Sequence, residues 1–236
     1  MPGEAAGGSA GRAYPEPVAV RGLLFDFDGL IVDTESAAFA AWSDVYRQHG
    51  QELELERWSA GIGTLGGFDP IHHLQELVEE PLDHEVLRAR AREHELTLVD
   101  AELLRPGVAE YLADAERLGL RKAIVSSGSR EWIDRNLRRL ERLYGWDAIV
   151  SADHDESRAK PLPTLYLEAL ETLDLESSEA IALEDSPNGV RAAKAAGIFC
   201  VAVPNPTTAS LGLEEADLVL DSLASMPLPE LLRVTA

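Results

Sequence analysis

Four short polar groups in this chain carry residue types that could do chemistry together. They are Asp26-Phe27-Asp28-Gly29, Ser126-Ser127-Gly128-Ser129, Lys160-Pro161 and Glu184-Asp185-Ser186. Brought to one place, they supply four carboxylates, one lysine and small hydroxyl side chains beside free backbone N–H groups. Four carboxylates repel one another, and a hard divalent cation with oxygen ligands relieves that cost. Mg²⁺ suits a site made of a few carboxylates, waters and a substrate phosphate. Lys160 offers a point charge for phosphate oxygens. The Ser126 hydroxyl and the N–H groups after it, at Ser127 and Gly128, can hold another phosphoryl oxygen at a helix start. Ser127 and Gly128 are therefore the substrate-binding candidates. A carboxylate nucleophile could take a phosphoryl group covalently. A second aspartate, two residues on, can protonate the leaving alkoxide and later activate water.

The elements around these groups explain why they should meet. The segment 18–27 is a short, dense apolar run, as expected of a strand buried on both faces of a parallel sheet. Further strands are predicted over 122–126, 147–151, 180–184, 199–203 and 217–220. Helices are predicted over 107–118, 130–143, 163–173, 187–196 and 227–233. Strand–helix alternation implies right-handed crossovers and a doubly wound α/β parallel sheet. Each polar group follows a strand, and ligands of such sheets bind outside the carboxyl ends of the strands. Residues 34–104 break the alternation. They read as helices over 34–49, 70–80 and 83–98, with one short helical piece and a glycine-rich loop, GIGTLGG, between 51 and 67. The expected organisation is a mobile tail at 1–17, a catalytic core at 18–33 and 105–236, and a helical cap at 34–104.

The stretches FDFDGLIVDTE, IVSSGS, AKPLP and LEDSPNGV resemble, in order, the four motifs of the haloacid dehalogenase superfamily. The resemblance spans residues 19–233. The position of the helical insert, between the first and second motifs, is similar to the subgroup that holds phosphoglycolate and sugar-phosphate phosphatases and β-phosphoglucomutase. The resemblance implies that Asp26 is the nucleophile that becomes aspartyl-phosphate. It implies that Asp28 is the general acid/base, with its backbone carbonyl on Mg²⁺. Ser126 and Lys160 would hold the phosphoryl group, and Glu184 and Asp185 would hold the metal directly or through water. Two departures from the pattern stand out. Thr164 replaces a frequent Asp, and Thr can still cap the following helix. Ala38 stands where the mutase has a histidine, and the cap loop from Gly61 to Phe68 has no Lys or Arg. Both features of the cap favour a phosphatase over a mutase.

Composition narrows the alternatives. The 236 residues include 42 Asp+Glu against 21 Lys+Arg, a net charge of -21 that argues against a general nucleic-acid binder. The run of 18 or more apolar residues that a membrane helix needs is missing, and a single cysteine, Cys200, precludes an intrachain disulfide. The expectation is a cytoplasmic protein with a small phosphorylated metabolite as its partner, no nucleic acid and no membrane; oligomeric state is left open. Lys160 is one of three lysines and sits in the expected loop, which favours function over an ordinary surface role. The four tryptophans, Trp42, Trp58, Trp132 and Trp146, read as packing residues, with Trp58 and Phe68 as candidates for the pocket wall. His72, His73, His84 and His94 read as surface or interface residues. A reading of another class is a phosphorylation-switched receiver module. It also uses clustered acids, a lysine and Mg²⁺, but its acidic pair is adjacent and it carries no large helical cap.

Overall fold

The computed structural model describes residues 19–235 apart from positions 60 and 144, so the expected tail at 1–17 lies outside the described residues. Six strands form one parallel sheet: β1 (Gly22–Phe25), β2 (Arg121–Ser126), β3 (Ala148–Ser151), β4 (Ala180–Glu184), β5 (Phe199–Ala202) and β6 (Leu218–Val219). Their order is β3-β2-β1-β4-β5-β6. The chain runs outward from β1 to β3, then returns to the other side of β1 and runs outward again. The order therefore reverses between β1 and β4, and a doubly wound sheet opens its ligand crevice at that switch point.

Alternation along each strand sends side chains to two separate cores. Leu24, Ala123, Val125 and Ala182 face α7 (Thr164–Leu173) and α8 (Pro187–Ala195). Leu23, Phe25, Ile124, Ile181 and Leu183 face α5 (Val108–Leu118), α6 (Arg130–Arg139) and α9 (Leu228–Val234). Burial of both faces explains why the strands read as continuous apolar runs.

Between β1 and α5 lie four helices: α1 (Thr34–Gln48), α2 (Leu55–Ser59), α3 (Pro70–Leu77) and α4 (His84–Ala101). They have a core of their own, built from Val45, Tyr46, Leu53, Ile71, Leu74, Leu87 and Ala91. Aspartates start three of these helices. The side chains of Asp33, Asp69 and Asp83 accept from N–H groups of the first turn, which have no partner inside the helix. Arg105 fastens the return to the sheet. Its guanidinium donates to the carbonyls of Gly29, Val203 (3.1 Å) and Pro204 (2.7 Å), and its N–H donates to Ile31 O.

Some predicted ends move. The helix expected over 130–143 stops at Arg139, because Glu141 turns to a φ of 55°. The helix expected over 70–80 stops at Leu77, and Val78 at its end is extended. That over 83–98 runs on to Ala101.

Candidate active site

The strand register decides which residues meet. Phe25 pairs with Leu183 on one side and Ile124 on the other. Asp26 is one step beyond β1, and its N–H donates to Leu183 O at 2.9 Å. That puts it beside Glu184, the last residue of β4, with Asp185 next. The carboxylates of Asp26, Glu184 and Asp185 offer oxygens within 4.8 Å of one another, and all three residues are buried.

Lys160 meets this acid group from below. Its ammonium donates to Asp26 Oδ1, to Glu184 Oε1 (2.6 Å) and to the Val125 carbonyl (2.8 Å), so every proton faces a protein oxygen. Tyr166 donates to the same Glu184 oxygen at 2.5 Å, and Asn205 Nδ2 donates to Asp185 Oδ2 at 2.7 Å. Burial opposes the charge on Lys160, but Asp26 and Glu184 outweigh it and push the ammonium pKa up. Burial pushes the Asp26 carboxyl up to about 8, with Lys160 opposing and Glu184 adding to the shift. Asp185 is pushed well up by burial, then by Asp26 and Glu184. One ammonium cannot offset three buried carboxylates, so Asp26 and Asp185 hold their protons more tightly than usual. A hard cation with oxygen ligands fits that donor set, with Asp26, Asp185 and Glu184 as the residues that would hold it.

Asp28 lies to the side of this cluster. Its Oδ1 accepts from Thr34 Oγ1 (2.8 Å) and from the indole N–H of Trp132 (2.7 Å). Its Oδ2 receives only a long contact from Ser126 Oγ, at 3.4 Å. Burial raises its pKa, and these three donors oppose the rise. Ser126 Oγ accepts from Gly128 N at 2.9 Å. A Cβ on Gly128 would stand 3.0 Å from Asp28 Oδ2, so a side chain there would crowd the carboxylate. Ser127 joins two layers: its hydroxyl donates to Gly63 O at 3.1 Å and accepts from Lys160 N.

Above Asp26 and Asp28 is a cavity of about 160 Å³, also lined by Glu35, Gly63, Thr64, Leu65, Ser126, Ser127 and Gly128. A second space of about 190 Å³, with Trp58, Ile62 and Phe68 in its wall, shares Glu35, Gly63 and Thr64 with the first. The loop between α2 and α3 thus forms the roof. Ile62 O accepts from Asn188 Nδ2 (2.8 Å), and Ser59 Oγ donates to Thr207 O (2.7 Å), both bonds crossing to the sheet side. Gly63 has φ +82°, and a Cβ there would strike Ser186. Neither cavity wall includes a Lys or Arg.

All the residues singled out from sequence come to this one edge of the sheet. Asp26, Glu184, Asp185 and Lys160 form one buried cluster. Asp28, Ser126, Ser127 and Gly128 line the adjoining cavity. The haloacid dehalogenase-like hydrolase profile matches residues 23–203, the stretch that contains every one of them.

The chain belongs to this hydrolase family.

Individual family members match over nearly the whole fold. YhcW of Bacillus subtilis (strain 168) is 40% identical over 213 residues, which cover 90% of this chain and 96% of YhcW. The validoxylamine A 7'-phosphate phosphatase of Streptomyces hygroscopicus subsp. limoneus is 31% identical over 208 residues, 88% of this chain and 96% of the relative. The crystal structure of CbbY from Rhodobacter sphaeroides in complex with phosphate superimposes with a TM-score of 0.69 at 30% identity, covering 87% of this chain and 95% of that one.

The candidate site also holds residues that sequence reasoning passed over. Asn205 follows β5, so reading the residues after every strand, not four of them, would find it. Tyr166 looks like an ordinary core residue of α7. Trp132 read as packing, yet it is the third residue of a helix that starts just after Ser126, a position facing back toward the strand ends. Glu35 is in the first motif but carried no assignment.

Proposed function

We propose that the chain is a Mg²⁺-dependent phosphomonoesterase that hydrolyses a small phosphorylated metabolite, a sugar phosphate or similar polyol phosphate, through an aspartyl-phosphate. The observation that carries this reading is the pair Asp26 and Asp28, which line one cavity but have opposite surroundings. Asp26 sits against Lys160 and two further carboxylates. Asp28 has one well-bonded oxygen and one nearly free.

Asp26 attacks phosphorus, and the bond to the leaving oxygen breaks as that oxygen takes the proton from Asp28. Asp28, now a carboxylate, takes a proton from water, whose oxygen attacks the aspartyl-phosphate. Inorganic phosphate leaves and Asp26 is restored. Ser126 Oγ and the Ser127 N–H hold phosphoryl oxygens, the Gly128 N–H joins them once it gives up its bond to Ser126 Oγ, and the Lys160 charge offsets that gathering on Asp26. Asp26, Asp185 and the Asp28 carbonyl, with Glu184 in support, would hold Mg²⁺, which would supply charge neutralisation for the phosphoryl group.

Water must reach the phosphoenzyme, and segment 34–104 acts as the cap that controls its entry. A mutase must instead grip a second phosphate. The cavity wall has no cation for that purpose, and Ala38 stands where the mutase has a histidine, so hydrolysis is the better reading. The relative that acts on validoxylamine A 7'-phosphate supports a polyhydroxylated phosphate ester as substrate. The acidic surface and lone buried Cys200 support work in the cytoplasm, away from nucleic acid and membranes. Among the described residues no helix is long and apolar enough to cross a membrane.

The test is phosphate release from a panel of monosaccharide phosphates, polyol phosphates, phosphoglycolate and nucleotides, with Mg²⁺ and with EDTA. Release is expected with Mg²⁺ only. Asp185→Ala and Glu184→Ala should each need more metal for half-maximal rate. Full activity in chelator would overturn the metal assignment. Faster conversion of β-glucose 1-phosphate to glucose 6-phosphate than to free phosphate would make the enzyme a mutase.

A further inference from the structure

The Trp132 indole reaches out of its packing environment to a single polar partner, Asp28 Oδ1, at 2.7 Å. An indole N–H only donates; it can neither accept nor exchange roles. Oδ1 therefore stays the acceptor whether Asp28 is ionised or protonated, and Thr34 Oγ1 donates to the same oxygen at 2.8 Å. The proton that Asp28 carries is directed to Oδ2, the oxygen with only the 3.4 Å contact from Ser126. We propose that Trp132 is a positioning residue: its N–H fixes which Asp28 oxygen holds the transferable proton and where that oxygen points. This rests on Asp28 being the acid/base of the proposed reaction.

The indole plane is itself held from the inserted helices. The Arg92 guanidinium of α4 lies over the Trp132 ring, 4.3 Å from its centroid, and is anchored by Glu95 at 2.8 Å. Thr34 is the first residue of α1. Two of the groups that set Asp28 thus belong to, or are braced by, the helical insert. Proton transfer is thereby tied to the position of that insert over the sheet.

Trp132→Phe keeps the ring and removes the N–H. With an alkyl phosphate, whose leaving group needs a proton, kcat should fall roughly 10- to 100-fold, the worth of one charge-assisted hydrogen bond. With an aryl phosphate of low leaving-group pKa, the phosphorylation burst should keep nearly its full rate. KM and the Mg²⁺ requirement should hold for both. Arg92→Ala should give the same pattern, several-fold weaker.

Asp28→Asn in the same panel separates the two claims. If it leaves alkyl phosphate turnover intact, the acid/base reading fails. If it abolishes turnover while Trp132→Phe matches the wild type on both esters, the positioning role fails alone. An equal loss on both esters with raised KM would make Trp132 a packing residue and also overturn the inference. A measurement on the native ring covers the case of a poorly folded variant. The Trp132 indole ¹H–¹⁵N resonance should move on Asp28→Asn, and those of Trp42 and Trp146 should not. An unmoved Trp132 signal would sink the proposal.

Discussion

The floor of the site and its roof are built by different means. On the floor, Asp26, Lys160, Glu184 and Asp185 are 6%, 1%, 0% and 1% exposed, and each is tied to at least one other buried polar group. Asp26, Glu184 and Asp185 lie at strand ends, where strand register sets their spacing, and Lys160 reaches them from the loop between β3 and α7. On the roof, Glu35, Trp58, Thr64 and Phe68 are half-buried, and a glycine-bearing loop and helix ends place them. The floor concentrates charge, which any phosphoryl transfer needs. In the proposed reaction the roof is the side that meets the rest of the substrate. On that reading strand register sets the chemistry, and the loop and helix ends set the selection.

If that division is right, floor substitutions should destroy rate or stability, and roof substitutions should change affinity or pH response. The largest effect belongs to Asp26→Asn. The amide keeps the shape, is a poor nucleophile and removes one of the crowded charges. Turnover should fall to background while thermal unfolding stays cooperative and Tm does not drop. Measurable burst-phase phosphorylation in this variant would break the covalent reading.

Lys160→Met should come next, and its signature is stability. The substitution strips the ammonium from two buried carboxylates, and breaking a buried pair in this way costs about 3–5 kcal/mol. Urea unfolding should show that loss in metal-free buffer. Adding Mg²⁺ should restore part of it, because a ligand that binds only the folded chain stabilises by mass action. A loss under about 1 kcal/mol would mean that this buried contact is worth no more than a solvent-exposed ion pair.

Legibility in the sequence divides along the same floor-and-roof line. Strands end in compact motifs, so Asp26, Ser126 and Glu184 could be read from the polar residues at the end of each apolar run, and Lys160 from the loop that follows β3. The sheet could be inferred from strand–helix alternation alone. Trp132 was opaque because a tryptophan's packing role hides its one donor. Tyr166 was opaque because its hydroxyl partner, Glu184, is 18 residues away in sequence. The roof contacts are harder still. Ser127 Oγ to Gly63 O and Asn188 Nδ2 to Ile62 O join segments 64 and 126 residues apart, and the acceptors are backbone carbonyls with no residue signature.

Gly63→Ala probes those roof contacts. The residue is at φ +82°, where an L side chain is strained, and its Cβ would strike Ser186. The loop should lift, weakening the bonds from Ser127 and Asn188. KM is expected to rise several-fold with kcat within about twofold of wild type, the pattern of lost uniform binding. An equal fall in kcat with KM constant would show that the loop contributes to the transition state and would blur the floor–roof distinction.

The smallest effect expected is at Glu35, and it appears only as a slope. Burial, with Asp28 and Asp26 close by, raises this carboxyl from its ordinary 4.5 to about 8. The folded chain then keeps a proton at pH values where the unfolded chain has released it. Unfolding releases that proton, so the contribution of Glu35 to stability falls as pH rises from about 4.5 to about 8 and levels off above. Glu35→Gln has no proton to lose. The Tm of Glu35→Gln minus that of wild type should be near zero at the acid end of that window and grow positive toward its upper end. Mg²⁺ should shrink the difference, because a cation among the floor carboxylates weakens the repulsion that Glu35 feels from Asp26. A difference that stays flat across the window would mean that the Glu35 carboxyl is well solvated. The roof would then be electrostatically separate from the floor.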